Sequence, residues 1–267
     1  MLYIVGLPIG NLKDISLRAL EVLGEVDVIA CEDTRNTLKL LNHYEIKKKL
    51  IAYHKFNEKQ MSEEIVSLLK EGKHIALVSD SGMPVISDPG NILVQKLKSE
   101  HLEYTVIPGA SASLSALILS GMQSNRFTFV GFLPEKNVDR KHLLESLKYI
   151  EHTLIFYISP HSLKKDTQSI YESFGARKAC FVKEITKIYE TVYDFVLGEE
   201  IDINEKGEFV LIVKGASEKE NKNEDLSIPE MIQLLKDGGM TENQAISKVA
   251  KQNHMTKQEL YKILKVK

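Results

Sequence analysis

Short β-rich runs alternate with amphipathic stretches from residue 2 to about Gly121, and this alternation constrains the fold of the 267-residue chain more than anything else in it. Residues 2–5 read as a strand. Asp14 is placed to cap a helix that buries Leu17, Leu20 and Val22 or Leu23 and stops at Gly24. Strands are expected at residues 27–31 and 50–53. Residues 57–70 space Met61, Ile65, Leu68 and Leu69 at helical intervals and close at Gly72. A strand at 74–78, a helix at 92–97, a strand at 104–107 and a helix at 111–120 continue the pattern. Parallel strands need a crossover between them, so this alternation means a mostly parallel sheet.

Beyond residue 127 the order changes. Strands are expected at 127–132, 153–157, 179–183 and 208–213, with helices at 140–149 and 162–174. Residues 188–197 alternate in part, as an exposed strand does. The expected fold is α/β with two units: residues 1–121 carry a parallel sheet and residues 122–215 a mixed one. Residues 216–226, rich in Glu, Lys, Asn, Ser and Asp, read as a linker. Residues 227–267 read as a small helical tail, with helices starting at Thr241 and Thr256 after Gly238 and Gly239. From Ser227 onward there are 7 Lys and 4 acidic residues, a charge of +3 against −5 for the rest. That tail suits helix-turn-helix-like nucleic-acid binding, or equally a packing or dimerisation element.

A net charge of −2 carries no global basic signal, so a nucleic-acid partner needs a local patch. Three groups are available: Lys47 to Lys49, then Lys136, Arg140 and Lys141, then Lys164 and Lys165. Cys31 and Cys180 are too few for a disulfide framework and sit among apolar neighbours, as small core residues do. No run reaches membrane-spanning length, and Met1 to Val5 starts a strand rather than a signal peptide. A soluble, cytoplasmic protein without membrane contact is expected.

The longest polar loop, Ser79 to Gly90, follows the 74–78 strand. Its twelve residues hold two Gly, two Pro, two Asp and three Ser, so neither strand nor helix can continue through it. Ligands of open α/β sheets sit at the carboxyl ends of strands, where this loop lies. The Gly6 to Leu12 loop is glycine-rich, yet Pro8 breaks the dinucleotide fingerprint, and no Gly-Lys-Ser/Thr phosphate loop is present. Metal-ligand spacings and a nucleophile elbow are also missing, so metal hydrolysis, phosphoryl transfer and acyl transfer lack support. The short Gly, Pro and Ser loops suit a cofactor held by backbone and small side chains.

Six motifs in order, Pro8-Ile9-Gly10-Asn11-Leu12, Glu32-Asp33-Thr34-Arg35, Ser79 to Gly90, Ile107-Pro108-Gly109-x-Ser111-Ala112, Phe127 to Pro134 and Ser159-Pro160-His161, resemble the small-subunit ribosomal RNA methyltransferase I family. The likeness covers essentially the whole chain. It implies a tetrapyrrole-methylase fold, S-adenosylmethionine as methyl donor, no metal, a homodimer, and 2′-O-methylation of a decoding-site cytidine in 16S rRNA. It also implies cofactor contacts from Pro8, Asp80, Ser81, Gly82, Met83, Ser111, Ala112 and Tyr157. Ile158 and Ser162 stand where the family usually carries charged residues.

Alignment of the two reactants supplies much of a methyl transfer, and a base that accepts the hydroxyl proton adds a moderate factor. The cluster Glu32, Asp33 and Arg35 is the candidate catalytic group: a carboxylate to take the proton, and Arg35 to pair with an RNA phosphate. The same residues would serve equally as a helix N-cap with a surface ion pair. Lys183 and Glu184 form a second, weaker pair. A side chain at Gly82 is expected to fill the ligand's space. Two other function classes stay open: an enzyme of the same fold with a non-RNA substrate, and a non-catalytic RNA-binding relative.

Overall fold

The computed structural model of the chain describes residues 1–217, 228–237, 240–252, 255–257 and 259–261. The first five strands, β1 (Leu2–Val5), β2 (Val28–Cys31), β3 (Lys49–Ala52), β4 (Ile75–Val78) and β5 (Tyr104–Ile107), form a parallel sheet in the order β3-β2-β4-β1-β5. β2 and β4 are buried at every position, as interior strands covered on both faces must be. Helices α1 (Leu17–Glu25) and α2 (Thr34–His43) cover one face, laying Ala19, Leu23 and Leu41 on Ile29, Ala76 and Val78. Helices α3 (Glu58–Lys70) and α4 (Asn91–Ser99) cover the other through Ile65, Leu69, Leu93 and Leu97. Because all five strands run the same way, every loop that follows one opens on a single edge.

The second sheet holds β6 (Phe127–Phe132), β7 (Thr153–Ile158), β8 (Lys178–Lys183), β9 (Thr191–Val196) and β10 (Phe209–Val213) in the order β6-β7-β10-β8-β9. Only β6 and β7 are parallel; the remaining neighbours are antiparallel, which makes the sheet mixed. α6 (Asn137–Leu147) and α7 (Leu163–Phe174) cover one face with Leu144, Leu147, Ile170 and Phe174. The other face is covered by α5 (Ala112–Leu119), which the chain order groups with the first unit. Ala116 and Leu117 of α5, with Ile9 from the loop after β1, pack against Ile155, Cys180, Val182 and Ile212. Ile9 and α5 thereby join the two sheets through a shared apolar layer.

Several local expectations change. The cap of α1 is Ser16, whose hydroxyl accepts from the Ala19 N–H at 3.1 Å. Asp14 instead ends a single 3-10 turn, Leu12–Asp14, and accepts a hydrogen bond from the Thr186 hydroxyl. The helix buries Ala19 and Leu23, while Leu17, its first residue, is 79% exposed. Arg140 leaves the basic group expected around it: its side chain is buried, 3.6 Å from the Asp166 carboxylate, and donates to the Pro134 and Glu135 carbonyls at 3.0 and 2.8 Å. Lys164 is paired with Glu205 at 2.6 Å. Both cysteines are free and buried. In the tail, α8 (Ile228–Asp237) and α9 (Glu242–Gln252) share a small core of Ile232, Ala245, Ile246 and Val249. Residues 218–226 of the expected linker, Gly238, Gly239 and part of the helix expected after Thr256 lie outside the described residues.

The loop from β4 is anchored by Glu58 of α3. Gly90 caps α4 with no side chain of its own. The Glu58 carboxylate takes that role, accepting from the Gly90 N–H at 2.8 Å, the Ile92 N–H at 3.2 Å and the Tyr53 hydroxyl at 3.2 Å. Anions at a helix start are stabilised by its unpaired N–H groups and dipole. Glu58→Ala is expected to cost about 2 kcal/mol in urea unfolding, the usual scale for losing hydrogen bonds to a charged group.

Candidate active site

The loops at the carboxyl edge of the first sheet face the second sheet across a cleft of 820 Å³. Asp80, Ser81, Gly82 and Met83 line it from the loop after β4, Ser111 and Ala112 from the start of α5, and Tyr157 from β7. These are all the cofactor residues expected from sequence except Pro8. Pro8 lines a smaller recess of 330 Å³ alongside, with Asn36, Lys39 and Lys187. Tyr157 is flanked by Phe129 and Phe132, at 5.0 and 5.4 Å between ring centroids, and the three rings make an aromatic wall. Ile158 also lines the cleft and is fully packed into the second sheet's core, while Ser162 donates to the Asp166 carboxylate at 2.6 Å. The two departures from the family pattern are thus filled by packing and a local hydrogen bond.

Backbone proximity shapes the floor of the cleft. A Cβ on Gly6 would stand 2.7 Å from the Gly109 Cα and 2.5 Å from the Met83 sulfur, so only glycine lets these loops meet. Gly82 has a φ of +71°, and the Leu7 N–H donates to its carbonyl at 2.8 Å. A Cβ there would stand 3.2 Å from a methyl of Ile9, which also lines the cleft. Substitution at Gly82 thus carries backbone strain, on a residue that itself lines the cleft. Farther along, Val85 and Ser87 carry φ values of +75° and +65°, conformations that β-branched and ordinary side chains resist.

Glu32, Asp33 and Arg35 lie behind the cleft wall instead of lining it. Asp33 is the N-cap of α2, accepting from the Arg35 N–H at 2.8 Å, and its carboxylate pairs with the Arg35 guanidinium at 2.6 Å. That guanidinium holds the Asp33 carboxyl down to about 2. The cap-and-ion-pair arrangement is therefore formed. Asp80 connects the cluster to the cleft, accepting from the Asp33 N–H at 3.1 Å and the Asn36 amide at 2.9 Å. The N-cap reading implies α2, which begins here, but its bounds do not show in the sequence because Lys39, Asn42 and His43 dilute its apolar stripe. Burial raises the Glu32 carboxyl above its ordinary value, with the Asp80 charge adding to the effect and His54 opposing it. Lys183 and Glu184 are structural: Lys183 donates to the Asn204 carbonyl at 2.8 Å and Glu184 accepts from Lys187 at 3.0 Å.

Sequence reasoning missed Asp88. It lies in the singled-out loop, lines the cleft, and is pushed up to about 6, first by burial and then by the Glu32 and Asp80 charges. The loop was read as a backbone cradle, and nothing in its local pattern says which of its two aspartates is enclosed. The charged residues lining the cleft are Asp80, Asp88 and Glu208, with no lysine or arginine among them. Among the described residues no cluster of His, Cys, Asp or Glu could hold a metal ion.

Residues 1–200 match the family described as Tetrapyrrole (Corrin/Porphyrin) Methylases. The chain is 42% identical to the ribosomal RNA small subunit methyltransferase I of Halalkalibacterium halodurans, over 98% of this chain and 93% of that one. It is 40% identical to the enzyme of the same name from Bacillus subtilis, over 100% and 94%. The chain belongs to the ribosomal RNA small subunit methyltransferase I family. The fold of this family member is shared by solved structures of low identity. Diphthine synthase superposes with a TM-score of 0.63 at 16% identity, covering 80% of this chain and 89% of its own. Uroporphyrin-III C-methyltransferase from Thermus thermophilus, solved with S-adenosylhomocysteine, gives 0.57 at 16% over 80% and 96%.

The methyl donor of such a family, S-adenosylmethionine, fits this cleft on chemical grounds. A phosphate-bearing cofactor would need cations or a glycine cradle, whereas carboxylates without lysine or arginine complement a sulfonium. The volume and aromatic wall accommodate a nucleoside.

Because the Asp88 carboxyl is raised above its unfolded value, its ionised form opposes folding; the opposition is complete above about pH 6 and vanishes below the unfolded value near 3.8. Asp88→Asn is expected to raise stability by about 2 kcal/mol at pH 8 and by nothing measurable at pH 3, followed by urea unfolding.

Proposed function

We propose that this chain transfers a methyl group from S-adenosylmethionine to the ribose 2′-oxygen of a decoding-site cytidine in the 16S rRNA of the small ribosomal subunit. The observation that carries the reading is the cleft: backbone and small side chains on one wall, aromatic rings on the other, and carboxylates with no cation among its lining residues. The curated relatives, which bear the name ribosomal RNA small subunit methyltransferase I along nearly their full length, support the RNA substrate. When bound, the donor supplies an electrophilic methyl group on a cationic sulfur. The chain's own part is placement: Asp80 to Met83, Ser111, Ala112 and Tyr157 hold the donor against the aromatic wall. The Asp33–Arg35 pair lies behind the cleft wall with Arg35 85% exposed on the side chain, and is the proposed contact for an RNA phosphate; Asn36, next in sequence, lines the Pro8 recess.

A second copy of the chain is the proposed partner at α5. Ile118 is 76% exposed and Leu114 and Leu119 are partly so, while Ala116 and Leu117 on the opposite side of the same helix are buried. The C-terminal helices, +3 with the rest of the tail, are assigned to the RNA. No helix among the described residues is long and apolar enough to cross a membrane, and the proposed compartment is the cytoplasm.

Incubation of the protein with labelled S-adenosylmethionine and unmethylated 30S subunits is expected to place one methyl group on a cytidine 2′-oxygen, mapped by alkaline-hydrolysis resistance. A label on a base or on ribosomal protein would refute this reading. Ile118→Asp should halve the mass seen in sedimentation; an unchanged mass would place the interface elsewhere.

A further inference from the structure

We propose that Asp88 is the residue that takes the hydroxyl proton during methyl transfer, with Glu32 as a positioning residue that tunes it. This rests on the methyltransferase reading above. Its first ground is elimination among the carboxylates near the cleft. Each Asp80 oxygen accepts one hydrogen bond, from the Asp33 N–H and from the Asn36 amide, which orient it. Glu208 is paired with Lys187 at 2.9 Å, and Asp33 is locked to Arg35. Asp88 lines the cleft, and no hydrogen bond or ion pair to its carboxylate occurs among the described residues. Asp80 and Glu208 are each already held by a protein partner, whereas Asp88 is the cleft-lining carboxylate with none among the described residues.

The second ground is the loop. Val85 and Ser87, immediately before Asp88, both hold left-handed backbone. A Cβ on Gly90 would stand 2.6 Å from a Val85 methyl, so the turn is closed tightly on itself. Glu58 fixes its far end through the Gly90 and Ile92 N–H groups. Strained backbone that the surroundings hold in place marks functional sites more often than plain connections.

The third ground is electrostatic. Asp88 is faced by Glu32 from the end of β2, by Asp80 from the end of β4 and by the Tyr157 hydroxyl from β7. Burial and the two neighbouring carboxylates make it a stronger base than an exposed aspartate, yet leave it ionised at neutral pH. The step balances as follows. The Asp88 carboxylate accepts the ribose hydroxyl proton while the oxygen forms its bond to the methyl carbon. The carbon–sulfur bond breaks with its electron pair staying on sulfur, which becomes a neutral thioether. The new carboxylic acid then releases its proton to water.

The test uses the full-length chain and unmethylated 30S subunits, with three proteins compared. For the wild type, log kcat/KM, which reports the free enzyme, is expected to rise with unit slope below about pH 6 and to level above it. Asp88→Asn should lower kcat by roughly 100-fold or more and remove that inflection. Its calorimetric affinity for S-adenosylhomocysteine should stay within about threefold of wild type, as expected of a group that touches the acceptor rather than the donor. Glu32→Gln should move the wild-type inflection to lower pH, because a like charge is gone. A kcat for Asp88→Asn within threefold of wild type, a surviving inflection, or a parallel tenfold loss of S-adenosylhomocysteine binding would each overturn the assignment. Absence of any methyl transfer by the wild type would overturn the functional reading and this assignment together.

Discussion

Gly6 and Gly109 meet backbone to backbone where the loops after β1 and β5 leave the first sheet, and the site depends on that contact. A Cβ on either residue would stand 2.7 Å from the other's main chain. With both loops drawn together, Ile9 is carried into the apolar layer under the second sheet, and the chain after Gly109 enters α5 against the same layer. One close approach therefore sets the distance between two sheets that contribute opposite walls of the cleft. Close packing of this kind transmits small displacements, so an added methyl group at Gly6 or Gly109 would be felt across the cleft.

Within that frame the carboxylates divide by environment. Asp33 is half-buried and bonded to a guanidinium, so it is a weak base at any physiological pH. Asp88 is enclosed beside like charges, so its proton affinity rises. Two aspartates in one small region thus acquire opposite properties from burial and neighbours alone. The sequence pattern drew attention to Asp33 because an acid-base run at a strand end looks reactive. Its compactness is what ties it up: residues two apart at a helix start satisfy one another.

The fold was largely legible in the sequence because its signals are local. The strands at residues 104–107 and 127–132 and the helices around α3, α5 and α7 announce themselves through periodicity and flanking Gly, Pro or Ser. The cap of α1 was misplaced by two residues because Asp14 and Ser16 are both competent caps, and only packing of Ala19 and Leu23 selects between them. The extent of α2 was not legible because a short helix with a polar face carries a weak stripe and is stabilised by the sheet it covers. The loops that line the cleft were legible for a similar reason: backbone-rich turns at strand ends are visible as composition. Which face of Gly82 meets the ligand is a matter of φ, which composition does not report.

By itself the sequence determined the α/β class, the parallel first sheet, the mixed second unit and the loops that build the cleft, since each follows from residue order over short windows. The tertiary structure decided which side chains of those loops face one another. Asp88 becomes distinctive only when Glu32, 56 residues earlier, and Tyr157, 69 residues later, are brought to the same cavity. Arg140 leaves the basic surface only when α6 lays it against Asp166 of α7. Burial and charge proximity are properties of folded space, and a linear pattern has no term for either.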